Sequence, residues 1–341
     1  MEALSRPKVA LIGPLNMDLF IRGSAPLEQD ALNAWVGPSE VDLVVAGSIG
    51  YTAQAFARLG SRVELHSAVG DDAFGDHVRR AMEEAGLDVR YLVQSEGETA
   101  IAIYMMLFGG QKRPMTYRLP GFEPWADPPP VLRSADAAPD VVHCGGLLHF
   151  PGMWHRGLGP VFEAARAGGV LTSIDPQFPL TDTPAPWSLH LADVLPHTDV
   201  LLCDEGEAGM IFDSTDLGDA LAAAHAIGPR VVAIKRGSLG VVVSDGRIVV
   251  DQPAIPVLAT VVREAVGAGD AFDAGFLDAL IRGTTAGEAA RFATATAALS
   301  LSGRGGAEGI TSREAVEATL DRVPPATSHH TYGHDGSART E

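Results

Sequence analysis

The chain has 341 residues, a formal net charge of −18 and an apolar fraction of 46%. So acidic a protein is a poor partner for nucleic acid or an anionic membrane, because both carry the same sign of charge. The apolar fraction is ordinary for a globular protein, and no apolar run is long enough to span a bilayer. We therefore expect a globular protein with neither nucleic acid nor membrane as partner.

Apolar and amphipathic segments alternate along the chain. The predicted strands are Lys8–Gly13, Arg62–Ala68, Asp140–Gly145, Val170–Asp175, Asp199–Asp204, Arg230–Lys235 and Val241–Ser244. The predicted helices are Ile49–Gly60, Asp76–Gly86, Ala220–Ile227 and a helix that opens at Asp270. This alternation is typical of an α/β protein in which helices cover both faces of a mostly parallel sheet.

Three segments depart from the alternation. Met17–Val36 and Thr99–Leu119 contain short extended pieces with little helical period, which on their own indicate two hairpins at a sheet edge. The tail, residues 323–341, is rich in Pro, Ser, Thr, Gly and His and has no apolar period, so we expect it to be disordered. One folded domain is therefore predicted over residues 1–322.

The N-terminus and the cysteines indicate the compartment. Residues 1–8 lack the apolar core of a signal peptide. Cys144 and Cys203 both lie in apolar, strand-like runs, where they are expected to be buried and reduced. These features favour a cytoplasmic protein.

The most informative motif is Gly267-Ala268-Gly269-Asp270, which runs into an apolar helical pattern. A glycine turn at a helix N-terminus directs unpaired N–H groups and the positive end of the helix dipole at one point, which suits a phosphate. Asp270 could there take a proton from a hydroxyl that attacks the phosphate. Taken alone, the motif is equally compatible with an Asp N-cap after a tight turn.

Three strings in a consistent order resemble the motifs of the PfkB/ribokinase family of carbohydrate kinases. They are Gly267–Phe276, Ala46–Gly60 and Ala68–Gly75. The resemblance implies a ribokinase-like α/β fold whose small β-lid is formed by the segments 17–36 and 99–119. It also implies a homodimer that uses ATP and Mg²⁺ to phosphorylate a hydroxyl of a sugar or sugar derivative.

The resemblance assigns residues to the chemistry and to the nucleotide. Asp270 is expected to be the catalytic base, and the amides of Gly267, Ala268 and Gly269 the anion hole. The nucleotide loop is expected to contain Lys235, Gly237 and Gly240, together with Gly267 and Gly269. Glu207 is expected to organise water around magnesium, with Asp204 in place of the family's Asn. Without the resemblance, Asp204 and Glu207 would be an ordinary helix cap.

On the acceptor side the resemblance points to the residues Asn16, Asp18, Gly47, Tyr51 and Arg118. The carboxylate of Asp18 is expected to accept hydrogen bonds from two sugar hydroxyls. Gly47 is expected to let the sugar approach the backbone. Tyr51 stands where the family has an Asn, which predicts an altered acceptor pocket. Glu264-Ala265 replaces the Asp-Thr pair that often contributes to a monovalent-cation site, so potassium dependence stays open.

The identity of the acceptor stays open at this stage. Arg118 matches the Arg of ketodeoxygluconate kinases that pairs with a carboxylate, but the second Arg expected after Asp175-Pro176 is missing from the run 177–180. Tyr51 and Phe122 could instead stack on a nucleoside base. A silent sugar-binding regulator conflicts with the intact Gly267–Asp270 motif. A nicotinamide enzyme lacks its glycine fingerprint after the first strand.

Overall fold

The computed structural model describes residues 6–109, 115–121, 138–258, 261–303 and 305–330. The strands are β1 (Lys8–Ile12), β2 (Asn16–Gly23), β3 (Ser39–Ala46), β4 (Arg62–Gly70), β5 (Leu92–Ser95), β6 (Ile101–Met106), β7 (Met115–Arg118), β8 (Val141–Gly145), β9 (Leu171–Asp175), β10 (Val200–Asp204), β11 (Val231–Lys235), β12 (Val241–Ser244), β13 (Ile248–Gln252) and β14 (Thr327–His330). The helices are α1 (Gln29–Asn33), α2 (Ser48–Arg58), α3 (Ala73–Glu84), α4 (Leu158–Ala167), α5 (Glu205–Phe212), α6 (Leu217–Ile227), α7 (Ala268–Ile281), α8 (Ala286–Ser300) and α9 (Arg313–Glu317). Short 3-10 turns occupy Leu147–His149, Pro151–Met153, Trp187–Leu191, Leu195–His197, Gly237–Leu239 and Leu320–Arg322.

The main sheet has the strand order β14-β13-β12-β11-β10-β9-β8-β1-β4-β5. The strands from β11 to β5 in that order are parallel, and β12, β13 and β14 add an antiparallel edge. Because parallel strands need crossover connections, helices cover both faces of this sheet. The predicted α/β fold with a mostly parallel sheet is confirmed.

Alternate residues of β1 supply two separate cores. Val9 and Leu11 pack into the core beneath α2, α3, α7 and α8, whereas Ala10 and Ile12 pack into the core beneath α4, α5 and α6. All four side chains are at most 1% exposed. Burial on both faces explains why this strand is continuously apolar. Within the described residues, no helix has the length and apolar character needed to cross a membrane.

A second sheet, which we call the lid, has the strand order β3-β2-β6-β7. The predicted lid segments 17–36 and 99–119 contribute β2, β6 and β7, together with the short helix α1. The sequence analysis missed β3, which pairs with β2 along its whole length, from Asn16 opposite Ala46 to Gly23 opposite Ser39. Polar and apolar residues alternate only from Glu40 to Leu43, and the last four residues of β3, Leu43–Ala46, are all apolar, so the strand has no continuous two-residue period.

Residues 323–330, the described part of the tail, differ from the predicted disorder. Residues 327–330 form β14, which pairs antiparallel with β13, and Gln252 Nε2 donates to the carbonyl of Pro324 at 2.9 Å. All four residues of β14 are exposed. An edge strand of this kind is held by backbone pairing and needs no apolar period, so composition gave no sign of it. Residues 331–341 lie outside the described ranges.

Candidate active site

A cavity of about 990 Å³ opens at the carboxyl ends of the parallel strands, between the main sheet and the lid. Most of the predicted site residues line this cavity, namely Asn16, Asp18, Gly47, Tyr51, Arg118, Asp204, Glu207, Lys235, Gly237, Gly240, Ala268, Gly269 and Asp270. Parallel strands bring the residues that follow them to one edge of the sheet, which is the usual place for a ligand in such folds. Residues far apart in sequence therefore meet in one space.

The predicted anion hole lies at the N-terminus of α7. Gly267 is the N-cap, with a φ of 84°, and a Cβ atom there would lie 2.6 Å from the Cα of Gly306. Only glycine tolerates both this positive φ and this close approach of the Gly306 backbone. The amide of Ala268 donates to the carbonyl of Ala265 at 3.2 Å, so one predicted donor is used within the turn. Asp270 is the third residue of the helix and lines the cavity.

Asp270 is held by a residue that the sequence analysis did not place in the site. Gln177 Nε2 donates to Asp270 Oδ1 at 3.2 Å, and Gln177 Oε1 accepts from Ser48 Oγ at 2.6 Å. The backbone of Gln177 has a φ of 56°, an unfavourable region for this residue type that is often found at functional sites. Its position two residues after β9 was the one available signal, because strand ends carry site residues in this fold.

The environment of Asp270 makes it a weaker acid. Burial, and then the charge of Asp175, raise the pKa of Asp270 to about 7, against the opposing effect of Lys235. A carboxyl group with such a pKa is partly ionised at neutral pH and can accept a proton there. This behaviour suits the predicted role as a base.

Lys235 is placed differently from a free phosphate-binding lysine. Its Nζ donates to Asp175 Oδ2 at 2.7 Å and to Asp273 Oδ1 at 3.0 Å. Burial alone would lower the pKa of Lys235, but the two carboxylates raise it well above its usual value. The ammonium thus stabilises a buried group of carboxylates next to Asp270. Neither Asp175 nor Asp273 was among the predicted site residues.

Asp204 and Glu207 form a capping box at the start of α5. Asp204 Oδ1 accepts from the Glu207 amide and Glu207 Oε2 accepts from the Asp204 amide, both at 2.7 Å. Both side chains also line the cavity. Burial, and then the charges of Asp175 and Asp204, raise the pKa of Glu207 to about 8. Asp204 and Glu207 therefore cap helix α5 and also line the cavity.

Asp204 and Glu207 are also the residues expected to lie near magnesium. Burial is the main cause of the raised pKa of Glu207, and a divalent cation would offset the smaller repulsion from Asp175 and Asp204. Carboxylate oxygens are suitable ligands for Mg²⁺. Across the ranges that the structure describes, no three His, Cys, Asp or Glu side chains are arranged to hold a metal. The residues thus fit a cation carried by water and phosphate oxygens, with few protein ligands.

The predicted nucleotide loop forms a tight turn between β11 and β12. Gly237 and Gly240 have φ angles of 55° and 101°, and a Cβ atom on Gly240 would lie 2.1 Å from the carbonyl oxygen of Gln252. The amide of Arg236 closes the turn by donating to the carbonyl of Gly240 at 2.7 Å. Glycine at both positions permits this tight turn, and Ser238 between them also lines the cavity.

On the acceptor side, Asp18 is almost fully buried. Tyr51 Oη donates to Asp18 Oδ2 at 2.6 Å, and Asn16 Nδ2 donates to Asp18 Oδ1 at 2.7 Å. Burial raises the pKa of Asp18 to about 6 despite these two hydrogen bonds, which lower it. Tyr51 thus binds the very carboxylate that was predicted to bind the acceptor.

The ring of Tyr51 also contacts the backbone beside the anion hole. A Cβ atom on Gly267 would lie 2.9 Å from Tyr51 Cδ2, and one on Gly306 would lie 2.7 Å from Tyr51 Cγ. The side chain is only 3% exposed. Its ring therefore packs on the backbone of Gly267 and Gly306 and has little exposed surface for a stacked ligand. Phe122, the other residue expected to stack, lies outside the described ranges.

Gly47 and Arg118 both line the acceptor side of the cavity. Gly47 has a φ of 96°, and a Cβ atom there would lie 2.3 Å from the carbonyl oxygen of Pro14. Arg118 donates to the Thr99 carbonyl at 2.7 Å, to Glu98 at 3.0 Å and to Asp72 at 3.3 Å. The guanidinium is thus already surrounded by acceptors, which weakens the prediction that it binds a substrate carboxylate.

The outer part of the acceptor side is apolar and aromatic. Tyr104, Tyr117, Phe150 and Phe178 all line it, and Tyr117 Oη donates to the carbonyl of Leu180 at 2.7 Å. Phe178 is 44% exposed, and its ring lies edge-on to His149 with 5.2 Å between the centroids. These rings offer apolar contact area that a simple sugar would not require.

Comparisons with known proteins agree with this geometry. The model of the pfkB family carbohydrate kinases matches residues 7–313. The chain is 25% identical to ribokinases of Arabidopsis thaliana (91% of this chain, 80% of that protein) and Bacillus subtilis (92% and 99%). It is 28% identical to a nucleoside kinase of Methanothermobacter thermautotrophicus (74% and 76%).

Solved structures show the same fold. Arabidopsis thaliana ribokinase complexed with ribose and ATP superposes with a TM-score of 0.73 at 22% identity, covering 92% of this chain and 99% of that one. A ribokinase II candidate from E. coli, in complex with ATP and Mg²⁺, has a TM-score of 0.72 at 22% identity, with coverage of 93% and 99%. The predicted ribokinase-like fold is confirmed. The chain belongs to the pfkB family of carbohydrate kinases and is a phosphotransferase with an alcohol group as acceptor.

Proposed function

We propose that the protein transfers the γ-phosphate of ATP to a hydroxyl of a sugar or sugar derivative, with Asp270 as the base. The observation that carries the proposal is the position of Asp270. It is the third residue of α7, beside the glycine turn, and it lines the cavity that Asp18 and Lys235 also line. A helix N-terminus and a carboxylate of raised pKa thus meet at one point.

In the proposed reaction the acceptor hydroxyl lies between Asp18 and Asp270. Asp270 takes the hydroxyl proton as the oxygen forms its bond to the γ-phosphorus, and the bond from phosphorus to the ADP oxygen breaks. The N-terminus of α7 stabilises the negative charge on the transferring group. Gln177 holds the carboxylate of Asp270 in place, so little reorganisation is needed.

Glu207 and Asp204 would hold the hydrated Mg²⁺ that accompanies ATP, and the ion would supply charge neutralisation at the phosphates. Lys235 pairs with Asp175 and Asp273 beside this region, where burial raises the pKa of Asp273 well above its usual value. ATP would lie along the turn that contains Gly237 and Gly240. The complexes of the two solved relatives with ATP support this nucleotide.

A nucleoside acceptor is the second candidate, and the aromatic residues of the outer cavity favour it. Tyr104, Tyr117, Phe150 and Phe178 provide the apolar faces against which a planar base packs. The nucleoside kinase among the relatives supports the same idea. A sugar acid is less suitable, because Arg118 is engaged by Glu98, Asp72 and a backbone carbonyl. We also retain the homodimer as part of the proposal.

The test is ADP release with MgATP and a panel of neutral pentoses and hexoses, sugar acids and nucleosides. We expect turnover with one of the first or last classes, and a kcat at least ~10²-fold lower with Asp270→Asn. Nucleosides ranking above their free sugars by kcat/KM would favour the second candidate. Saturable turnover of sugar acids alone would contradict the acceptor assignment. Binding of ATP without turnover of any member would contradict the proposal as a whole.

A further inference from the structure

An ion pair joins the lid to the chain segment that leads into the anion hole. Arg22, on β2 of the lid, donates from Nη2 to Glu264 Oε2 at 2.8 Å. Its other terminal nitrogen, Nη1, donates to Asp42 on β3, and the guanidinium lies 4.9 Å from the centroid of the Phe20 ring. Two lid contacts thus orient one guanidinium toward a residue 242 positions later.

Glu264 determines how the chain enters α7. Its side chain is 1% exposed, and its Oε1 accepts from the amides of both Ala265 and Val266 at 2.8 Å. These amides directly precede Gly267, the N-cap of the helix that carries Asp270. A shift of the Glu264 carboxylate would therefore displace the backbone from which the anion hole is built.

The pair couples the two regions because its carboxylate is buried, with the Glu264 side chain 1% and the Arg22 side chain 20% exposed. Separating Arg22 from Glu264 would leave a desolvated carboxylate without its counter-charge, which is far more costly than losing an exposed pair. A second contact also joins the lid to this backbone. Val44 of β3 packs so closely on Gly305 that a Cβ atom on Gly305 would lie 2.6 Å from the Val44 side chain. The lid and the backbone around α7 therefore have little freedom to move separately.

We propose that Arg22 and Glu264 are positioning residues that couple the lid to residues 264–267, so that a phosphate bound at α7 orders the lid. The inference rests on the proposed function for the identity of the phosphate ligand. It assigns these residues no contact with substrate. Their effect is exerted through the backbone of the anion hole and through β2 and β3.

The experiment follows hydrogen exchange of the full chain with and without the ATP analogue MgAMP-PNP, which occupies the nucleotide side only. In the wild type we expect slower exchange in residues 16–23 and 39–46 when the analogue binds. Arg22→Met should abolish this protection and lower kcat by about 10- to 100-fold, the scale of a misplaced catalytic group, with KM for ATP changed less. Arg90→Met is the matched control, since Arg90 pairs with Asp88 at an exposed site outside the cavity.

Two further variants guard against misfolding. Arg22→Lys keeps the charge and should retain part of the protection. The double variant Arg22→Met/Glu264→Gln removes the uncompensated charge, and should fold yet still lack protection. An ion pair of purely structural importance would change the melting temperature without changing the response to the analogue.

Two results would overturn the coupling. One is wild-type nucleotide binding without any lid protection. The other is equal protection in the wild type and in Arg22→Met, or in the double variant if the single one does not fold. If MgAMP-PNP does not bind the wild type, the proposed function fails. The coupling is then tested by exchange at residues 265–266 in the free proteins, which must be faster in the variant.

Discussion

At the scale of single residues, Asp270 links the fold to the reaction. Asp270→Asn should keep the fold and the affinity for ATP while lowering kcat at least ~10²-fold, the range expected for loss of a general base. In the wild type, kcat/KM should fall as the pH decreases through about 7, because burial raises the pKa of Asp270 to about 7 and the protonated carboxyl accepts no proton. Steady-state kinetics between pH 5.5 and pH 8.5, about three units, covers this range.

The control for this prediction is Asp219→Asn. Asp219 is the third residue of α6, as Asp270 is of α7, but it is exposed and lies outside the cavity. Its replacement should leave both kcat and the pH profile unchanged. Near-normal turnover of Asp270→Asn would show that another group is the base.

Tyr51 should influence acceptor binding through the pKa of Asp18. Tyr51→Phe removes the hydrogen bond that lowers the pKa of Asp18, so this pKa should rise above its present value of about 6. Asp18 would then be ionised only at higher pH, and KM for the acceptor should increase about tenfold near pH 6, or about 1.4 kcal/mol. The ring would still pack on Gly267 and Gly306, so kcat should change little.

The measurement is the acceptor KM at several pH values, with Tyr91→Phe as the control. Tyr91 stacks on His66 and lies outside the cavity. An acceptor KM that is the same in wild type and Tyr51→Phe from pH 6 to pH 8, about two units, would mean that Asp18 does not bind the acceptor.

At the scale of elements, local patterns predicted most of the main sheet and the helices that cover it. The strands and the helix α7 could be located because buried parallel strands are continuously apolar and a glycine turn opens the helix. Two contacts could not be predicted in this way. The hydrogen bond from Gln177 to Asp270 joins residues 93 positions apart, and the ion pair of Arg22 with Glu264 joins residues 242 positions apart. Only the folded backbone brings such partners together.

The contribution of a single element to stability can be measured at the edge strand β14. A chain that ends after Pro325 loses the pairing of β14 with β13, and should unfold with about 1–2 kcal/mol less free energy, since exposed ladder bonds each contribute little. Its kcat should be unchanged, because β14 does not line the cavity. Thermal and urea unfolding measure the first effect and ADP release the second. A chain that ends after His330 is the control and should match the wild type, whereas equal loss in both chains would place the stabilisation beyond β14.

At the scale of the whole molecule, the charge of −18 opposes the approach of MgATP. The cavity provides little free positive charge to offset this repulsion, because its Lys235 is paired with Asp175 and Asp273. Glu207 and Asp270 add further acidic groups to the cavity wall. Binding must then depend on short-range contacts at the N-terminus of α7, which act only after the nucleotide has entered. Screening by salt should therefore help the nucleotide and leave a neutral acceptor unaffected.

The prediction is that KM for MgATP decreases about two- to fivefold as ionic strength rises from about 10 mM to about 150 mM, where the Debye length shortens from about 30 Å to about 8 Å. Tetramethylammonium chloride is the suitable salt, because this large cation does not imitate potassium. KM for a neutral acceptor, measured in the same series, is the internal control and should stay constant. A KM for MgATP that increases with salt would mean that a local positive field governs nucleotide entry, in spite of the net charge of the chain.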